Sequence, residues 1–175
     1  EGGWGWFSGY GEYASPHTTA VVLHGLQIAR QNDVAIPPDV VAKGIEWLRQ
    51  YQADQIVRLQ NADAKKKDVP WKTAADNLDA LVYMILLDED VASTEMQDYL
   101  YRDRTHLSVY GMSVYGLALH KQGQTDKLRM ILQNIDQYLV QDESNETAFL
   151  KLPSGYSWWY WHGDEIESNA YYLKL

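Results

Sequence analysis

Apolar residues in this chain fall into helical segments of two alternating kinds, and no other sequence feature restricts the fold as much. From Thr18 to Arg30, Val21, Val22, Leu26, Ile28 and Ala29 cover more than one helix face, with Gly25 among them and Arg30 the single charge. From Asp39 to Gln52, Val41, Ile45 and Leu48 form one narrow stripe, with Lys43, Glu46, Arg49 and Gln50 opposite. The first pattern predicts a helix buried nearly all round, the second a helix half exposed.

The alternation continues to the end of the chain. Ala74, Leu78, Leu81, Val82 and Ile85 make a wide apolar helix, and Thr94 to Tyr101 sets Met96, Tyr99 and Leu100 beside Glu95, Gln97 and Asp98. Leu107 to Leu119 carries no Asp, Glu, Lys or Arg and includes Gly111 and Gly116, which permit close helix approach. Asp126 to Val140 returns to a stripe of Leu128, Ile131, Leu132, Ile135 and Leu139, and Ile166, Ala170 and Leu173 begin a last helix. Pro37-Pro38 suits a helix start, Asp39 and Thr125 suit a first turn or N-cap, and Gly123 suits a C′ stop. No segment alternates for long enough to predict a strand.

Sequential antiparallel inner and outer helix pairs define an all-α fold, either a solenoid or its closed form, the α/α toroid. The wide helices begin near Thr18, Thr73, Thr105 and Asp164, at unequal intervals, which fits a toroid better than a regular array. Seven helices are too few to close one, so a partial toroid is expected. The chain opens on Glu1-Gly2-Gly3-Trp4 and stops inside an amphipathic pattern, so residues 1–175 read as a single fragment truncated at both ends. An incomplete toroid exposes inner-helix surface, and association or marginal stability is the expected consequence.

Composition removes several chemistries. With 15 Lys+Arg against 24 Asp+Glu the formal charge is −9, opposite to the basic balance that phosphate-backbone binding needs. The absence of cysteine excludes disulfides, thiol nucleophiles and Cys-ligated zinc within the chain. No apolar run approaches the ~20 residues that span a bilayer. The five histidines, His17, His24, His106, His120 and His162, have no metal-ligand spacing, so no metal site is expected; His24 reads as a hydrogen-bonded core residue.

Aromatic loops precede the wide helices. One reads Gly2-Gly3-Trp4-Gly5-Trp6-Phe7, another Tyr156-Ser157-Trp158-Trp159-Tyr160-Trp161, and Trp71 stands just before Thr73. Trp4, Trp6, Trp71, Trp158, Trp159 and Trp161 therefore form a candidate binding rim. One use of such a rim is to stack on sugars, with Glu12, Asp164, Glu165 or Glu167 as acid and base about 5 to 9 Å apart. The other is structural: indoles plug gaps between helix ends, and the first-turn carboxylates of Glu165 and Glu167 complement a helix dipole. Asp88-Glu89-Asp90 reads as a solvated turn.

These residues carry a family resemblance. Gly2-Gly3-Trp4-Gly5-Trp6-Phe7 followed by Thr18-Thr19-Ala20-Val21-Val22 resembles the "GGWGWF" loop and "TAYV" helix in the thioester domain of the bacterial alpha-2-macroglobulin family. Ser113 to Gly123 resembles that domain's "YALALHRAG" helix, and Trp158-Trp159-Tyr160 through Glu167-Ser168-Asn169-Ala170-Tyr171-Tyr172-Leu173 resembles its closing "WW…EANAYYL" segment. Asp54 to Asp103 matches least. The resemblance implies part of a large protease-trapping inhibitor of the periplasm or extracellular space, with no catalytic residue or cofactor of its own. In many members a thioester in a Cys-x-Glu-Gln motif captures the protease; lacking Cys, this segment would shield or present a thioester N-terminal to Glu1, or derive from a thioester-less parent. Its partners would be target proteases, through the full-length protein, and neighbouring macroglobulin domains.

Other toroid families fit less well. Terpene cyclases need Asp-x-Asp-Asp, which Asp88-Glu89-Asp90-Val91 fails at its last position, and prenyltransferase β-subunits bind zinc through a Cys. A carbohydrate-active enzyme using the Trp loops and carboxylates is the alternative from a different functional class.

Overall fold

The computed structural model describes residues 2–6, 13–66, 68–152 and 163–175. They are mostly helical: α1 (Pro16–Gln31), α2 (Pro38–Asp63), α3 (Asn77–Asp88), α4 (Thr94–Arg102), α5 (Val109–Lys121), α6 (Thr125–Asp136) and α7 (Glu165–Lys174), with a hairpin of β1 (Leu139–Asp142) and β2 (Thr147–Leu150) between the last two. Two compact units result, one from residues up to Thr73 together with Leu81–Asp98, the other from Ala74–Ala80 together with Tyr99–Leu175.

Helix starts follow local chemistry. Ser15 caps α1 ahead of Pro16, and Pro38 opens α2, positions where a missing N–H costs nothing. At α3, Asp76 Oδ1 accepts from the N–H groups of Leu78 and Asp79, while Asp79 Oδ2 accepts from the N–H of Asp76. This is a reciprocal capping box made from two aspartates. It sets the start of α3 at Asn77, so Ala74 lies outside the helix and not within it as its apolar pattern predicts.

Four helices end the same way. At α1, α2, α3 and α5 the residue two beyond the last helical one has positive φ: Asp33, Lys65, Asp90 and Gly123. In each, its N–H donates to the carbonyl three residues back, and the next N–H reaches the carbonyl five back, as in Val34 to Ala29 and Gln124 to Leu119. These are Schellman endings. Only Gly123 is glycine, the residue that adopts this backbone without steric cost.

In the first unit, α1 packs on α2. Ala20 and Leu23 from α1 are buried, as are Val41, Ile45, Leu48, Ile56 and Leu59 from α2 and Leu81 through Leu86 from α3. Gln27, buried in α1, donates through Nε2 to the Ile85 carbonyl and to Glu89, which also pairs with Arg30. Gln52 of α2 accepts from the N–H of Ser93, and Gln60 donates to Glu95, tying α2 to the start of α4.

The second unit is built around α5, whose residues Val109–Gly116 are all buried. Its start is held by Asn77, whose Oδ1 accepts from both the N–H and the hydroxyl of Ser108 at 2.8 and 3.0 Å. Ser108 Oγ in turn caps α5 by accepting from the Gly111 N–H. A Cβ at Gly111 would lie 2.2 Å from Asn77 Oδ1, and one at Gly116 would lie 2.7 Å from Leu175. Both glycines therefore serve the close packing expected of them. Asp103 adds a further tie by accepting from the Ala75 N–H and pairing with Arg102.

Several sequence expectations are corrected. α1 is not buried all round: its buried residues are Thr19, Ala20, Leu23 and Gln27, while Val21 and Ile28 are exposed. α7 is likewise covered on one side only, with Ile166 and Leu173 in solvent. α2 continues past Gln52 to Asp63, since Gln55, Ile56 and Leu59 extend its stripe. Leu139 and Val140 belong to β1 and not to the preceding helix.

The reason for the hairpin is its turn. Asp142 Oδ1 accepts from the N–H groups of Ser144 and Asn145 and from the Ser144 hydroxyl, and Glu146 supplies a positive φ. Those hydrogen bonds hold the Asp142 carboxyl below the usual carboxylate range. The pairing then places Leu139 opposite the buried Leu150. Asn169 of α7 accepts from the Leu150 N–H, fixing the hairpin to that helix.

Three stability tests follow from these observations. Lys65→Gly removes a β-carbon from a left-handed position and should stabilise the chain by about 1 kcal/mol in urea unfolding. Asn77→Ala leaves buried donors at Ser108 unmet and should cost about 2–3 kcal/mol. Gly111→Ala should destabilise the parent but add little in the Asn77→Ala background, because the atom it strikes is gone.

Candidate functional site

The candidate tryptophans separate into different environments. Trp4 is half buried and anchored: its N–H donates to Thr19 Oγ1 at 2.8 Å, and its carbonyl accepts from the Ser15 N–H. Its ring lies against α2, where a Cβ on Gly44 would come within 2.5 Å of it. Gly2 and Gly3 press on Lys43 and on the ring of Trp47 in the same way. The Gly-Gly-Trp motif is thus a wedge that pins the N-terminal segment to α1 and α2.

Trp6 and Trp71 differ, being 78 % and 51 % exposed. They remain the free indoles among the described candidates. Trp158, Trp159 and Trp161 lie outside the described residues, as do Glu12 and His162. Trp47, outside the candidate rim, lies parallel to Tyr51 on α2 and lines a shallow depression with Lys43, Glu46 and Gln50. Its spacing from Tyr51, one helical turn, was the available signal.

A cleft of about 390 Å³ beside the ends of α1 and α3 is lined by Ile36, Val41, Ile45 and Val91 together with Arg30, Glu46 and Glu89. Its carboxylates are engaged: Glu89 by Arg30 and Gln27, and Glu46 by Arg49 at 2.7 Å. Asp88-Glu89-Asp90 is therefore the capped end of α3, with Glu89 turned to α1 and Asp90 in the left-handed position.

The acidic start of α7 has a structural account. Asp164 caps the helix by accepting from the Glu167 N–H at 2.8 Å. Burial, together with the neighbouring Asp164 carboxylate, pushes the Glu167 carboxyl above its ordinary value. Burial likewise raises Tyr110 and Tyr171, whose rings meet edge to face with centroids 5.0 Å apart.

Among the histidines, His17 sits half buried in the first turn of α1, and burial lowers its pKa. His24, expected as a hydrogen-bonded core residue, is half buried with its Nδ1 enclosed, and His106 and His120 are exposed. Among the described residues no three His, Cys, Asp or Glu side chains gather where they could hold a metal ion, and no helix is long and apolar enough to cross a membrane. Comparison with protein-family models, curated proteins and solved structures finds no match for the chain.

Glu167 supplies a pH test. A carboxyl with a raised folded pKa binds its proton more tightly in the native chain, so it penalises folding above that pKa and ceases to do so below its ordinary value of 4.5. Glu167→Gln should therefore melt above the parent at about pH 7, and the gap should close as the pH falls through about 4.

Proposed function

We propose that this chain is a non-catalytic part of an alpha-2-macroglobulin-like protease-trapping protein, a partial α/α toroid that shields or presents a thioester supplied N-terminal to it. The observation that carries the reading is the order of three motif resemblances along the chain: the Gly-Gly-Trp loop with its following helix, the Ser113–Gly123 helix, and the Trp158–Leu173 segment.

Packing supports it in two places. The first motif's glycines and Trp4 wedge against α2, and the second motif forms most of α5, the helix its unit is built around. Both motifs thus have architectural work that explains their composition. Target proteases and neighbouring macroglobulin domains are the partners, and the periplasm or extracellular space is the compartment.

The exposed Trp6 and Trp71 favour one rival, a carbohydrate-active domain in which indole faces stack on sugar rings. A single pair of measurements separates the two. The natural protein, produced with whatever sequence precedes Glu1, should leave a bound protease active on a small peptide but not on a large protein substrate. Oligosaccharides should leave the Trp fluorescence unchanged. A saturable oligosaccharide quench, with the protease still cleaving large substrates, overturns the proposal in favour of the rival.

A further inference from the structure

The chain has six asparagines, and one of them stands in an acceptor sequence for N-linked glycosylation. Glu143-Ser144-Asn145-Glu146-Thr147 places a hydroxyl two residues after Asn145, with no proline between them. This is the Asn-x-Thr pattern that oligosaccharyltransferases read. The same stretch places a carboxylate two residues before Asn145, which transferases of the bacterial kind require in addition. None of the other five, Asn32, Asn61, Asn77, Asn134 and Asn169, has Ser or Thr two residues on.

The fold puts this asparagine where an enzyme can reach it. β1 ends at Asp142 and β2 begins at Thr147, opposite each other in the ladder, so residues 143–146 are the connecting loop. Every residue from Glu143 to Phe149 is exposed. By contrast Asn77 is buried against Ser108, and Asn61, Asn134 and Asn169 are half buried. A glycan is bulky and solubilising, so only a surface position accepts one.

In the folded turn the carboxamide is engaged. Asn145 Nδ2 donates to Asp142 Oδ2 at 2.7 Å, and the Asn145 N–H donates to Asp142 Oδ1 at 3.2 Å. Both bonds are exposed to solvent, so water replaces them at small net cost when the turn opens. A hairpin tip is also where local opening is cheapest, because no packed core moves with it.

We propose that Asn145 is an N-glycosylation site. Its carboxamide nitrogen gives one of two protons to a base of the transferase and bonds to the anomeric carbon of a polyprenyl-pyrophosphate-linked oligosaccharide. The bond from that carbon to the pyrophosphate oxygen breaks, and polyprenyl pyrophosphate leaves with the electron pair. Thr147 and Glu143 meet the enzyme, one through its hydroxyl and the other through its charge. Transfer of this kind takes place outside the cytoplasm, so the inference rests on the exported compartment proposed above and not on protease trapping.

The test uses the natural protein, with whatever sequence precedes Glu1, in a bacterial host that carries an oligosaccharyltransferase and its lipid-linked oligosaccharide. A supplied export signal keeps a wrong compartment from being mistaken for a wrong site, and an established acceptor protein in the same cells is the control. Trypsin releases Met130–Lys151 as one peptide, whose mass should rise by that of the oligosaccharide. Asn145→Gln and Thr147→Ala should abolish the increment, and Thr147→Ser should retain it. Glu143→Gln should lower occupancy about tenfold, the worth of one charge-assisted contact. Asp142→Ala, which releases the carboxamide, should be modified several-fold faster than the parent. An unmodified parent peptide beside a modified control overturns the inference, as does an increment that survives Asn145→Gln. Parental occupancy in Glu143→Gln overturns the role given to that carboxylate, and an Asp142→Ala chain no faster than the parent overturns the restraint by Asp142.

Discussion

One amide oxygen organises the second unit. Asn77 Oδ1 holds the N–H and the hydroxyl of Ser108 just where α5 begins, and the same Ser108 hydroxyl then caps the helix through Gly111. Because α5 is buried along most of its length, water cannot satisfy its first donors, and a side chain from elsewhere must do so. That requirement explains Gly111, the one residue small enough to leave Asn77 room. α6 and α7 pack on the helix so started, and the hairpin is tied to α7 through Asn169.

The first unit is secured differently, by wedges and by helix endings. Trp4 and the glycines around it fit α2 closely, while Gln27 and Glu89 fasten α1 to the end of α3. The Schellman endings of α1, α2 and α3 tolerate Asp33, Lys65 and Asp90 in a left-handed backbone. Each bears strain of about 1 kcal/mol that glycine would not. On α1 this unit covers Thr19, Ala20, Leu23 and Gln27 and leaves Val21 and Ile28 exposed.

Much of the helical order was legible. The striped helices α2, α4 and α6 were legible in position because a narrow apolar stripe fixes both period and facing direction, although α2 runs on past Gln52 and α6 stops at Asp136, and α5 was legible because an uncharged stretch with two glycines has few other uses. Helix boundaries were legible where a residue type marks them, as at Gly123, Pro38 and Thr125. The Schellman endings at Asp33, Lys65 and Asp90 carry no such mark, because an αL backbone leaves no trace in a residue type that merely tolerates it. The hairpin was missed since four residues per strand are too few for alternation to outweigh a preceding helical stripe. The candidate site was less legible still: Trp4 and Trp6 stand two apart in one loop, yet one is a wedge and the other an exposed indole.

By itself, then, the sequence determined the class of structure and the excluded chemistries. Periodicity of apolar residues is a local property, and the absence of cysteine or of a basic patch needs no fold to be read. Only the tertiary structure decided which apolar faces are covered. A helix that is apolar all round has the same sequence whether it is enclosed or half exposed, and coverage depends on partners distant along the chain. For α1 and α7 those partners leave one side open. For α5 they close every side but the last turn, because Asn77, Ile131 and Leu175 all reach the same helix from separate parts of the chain.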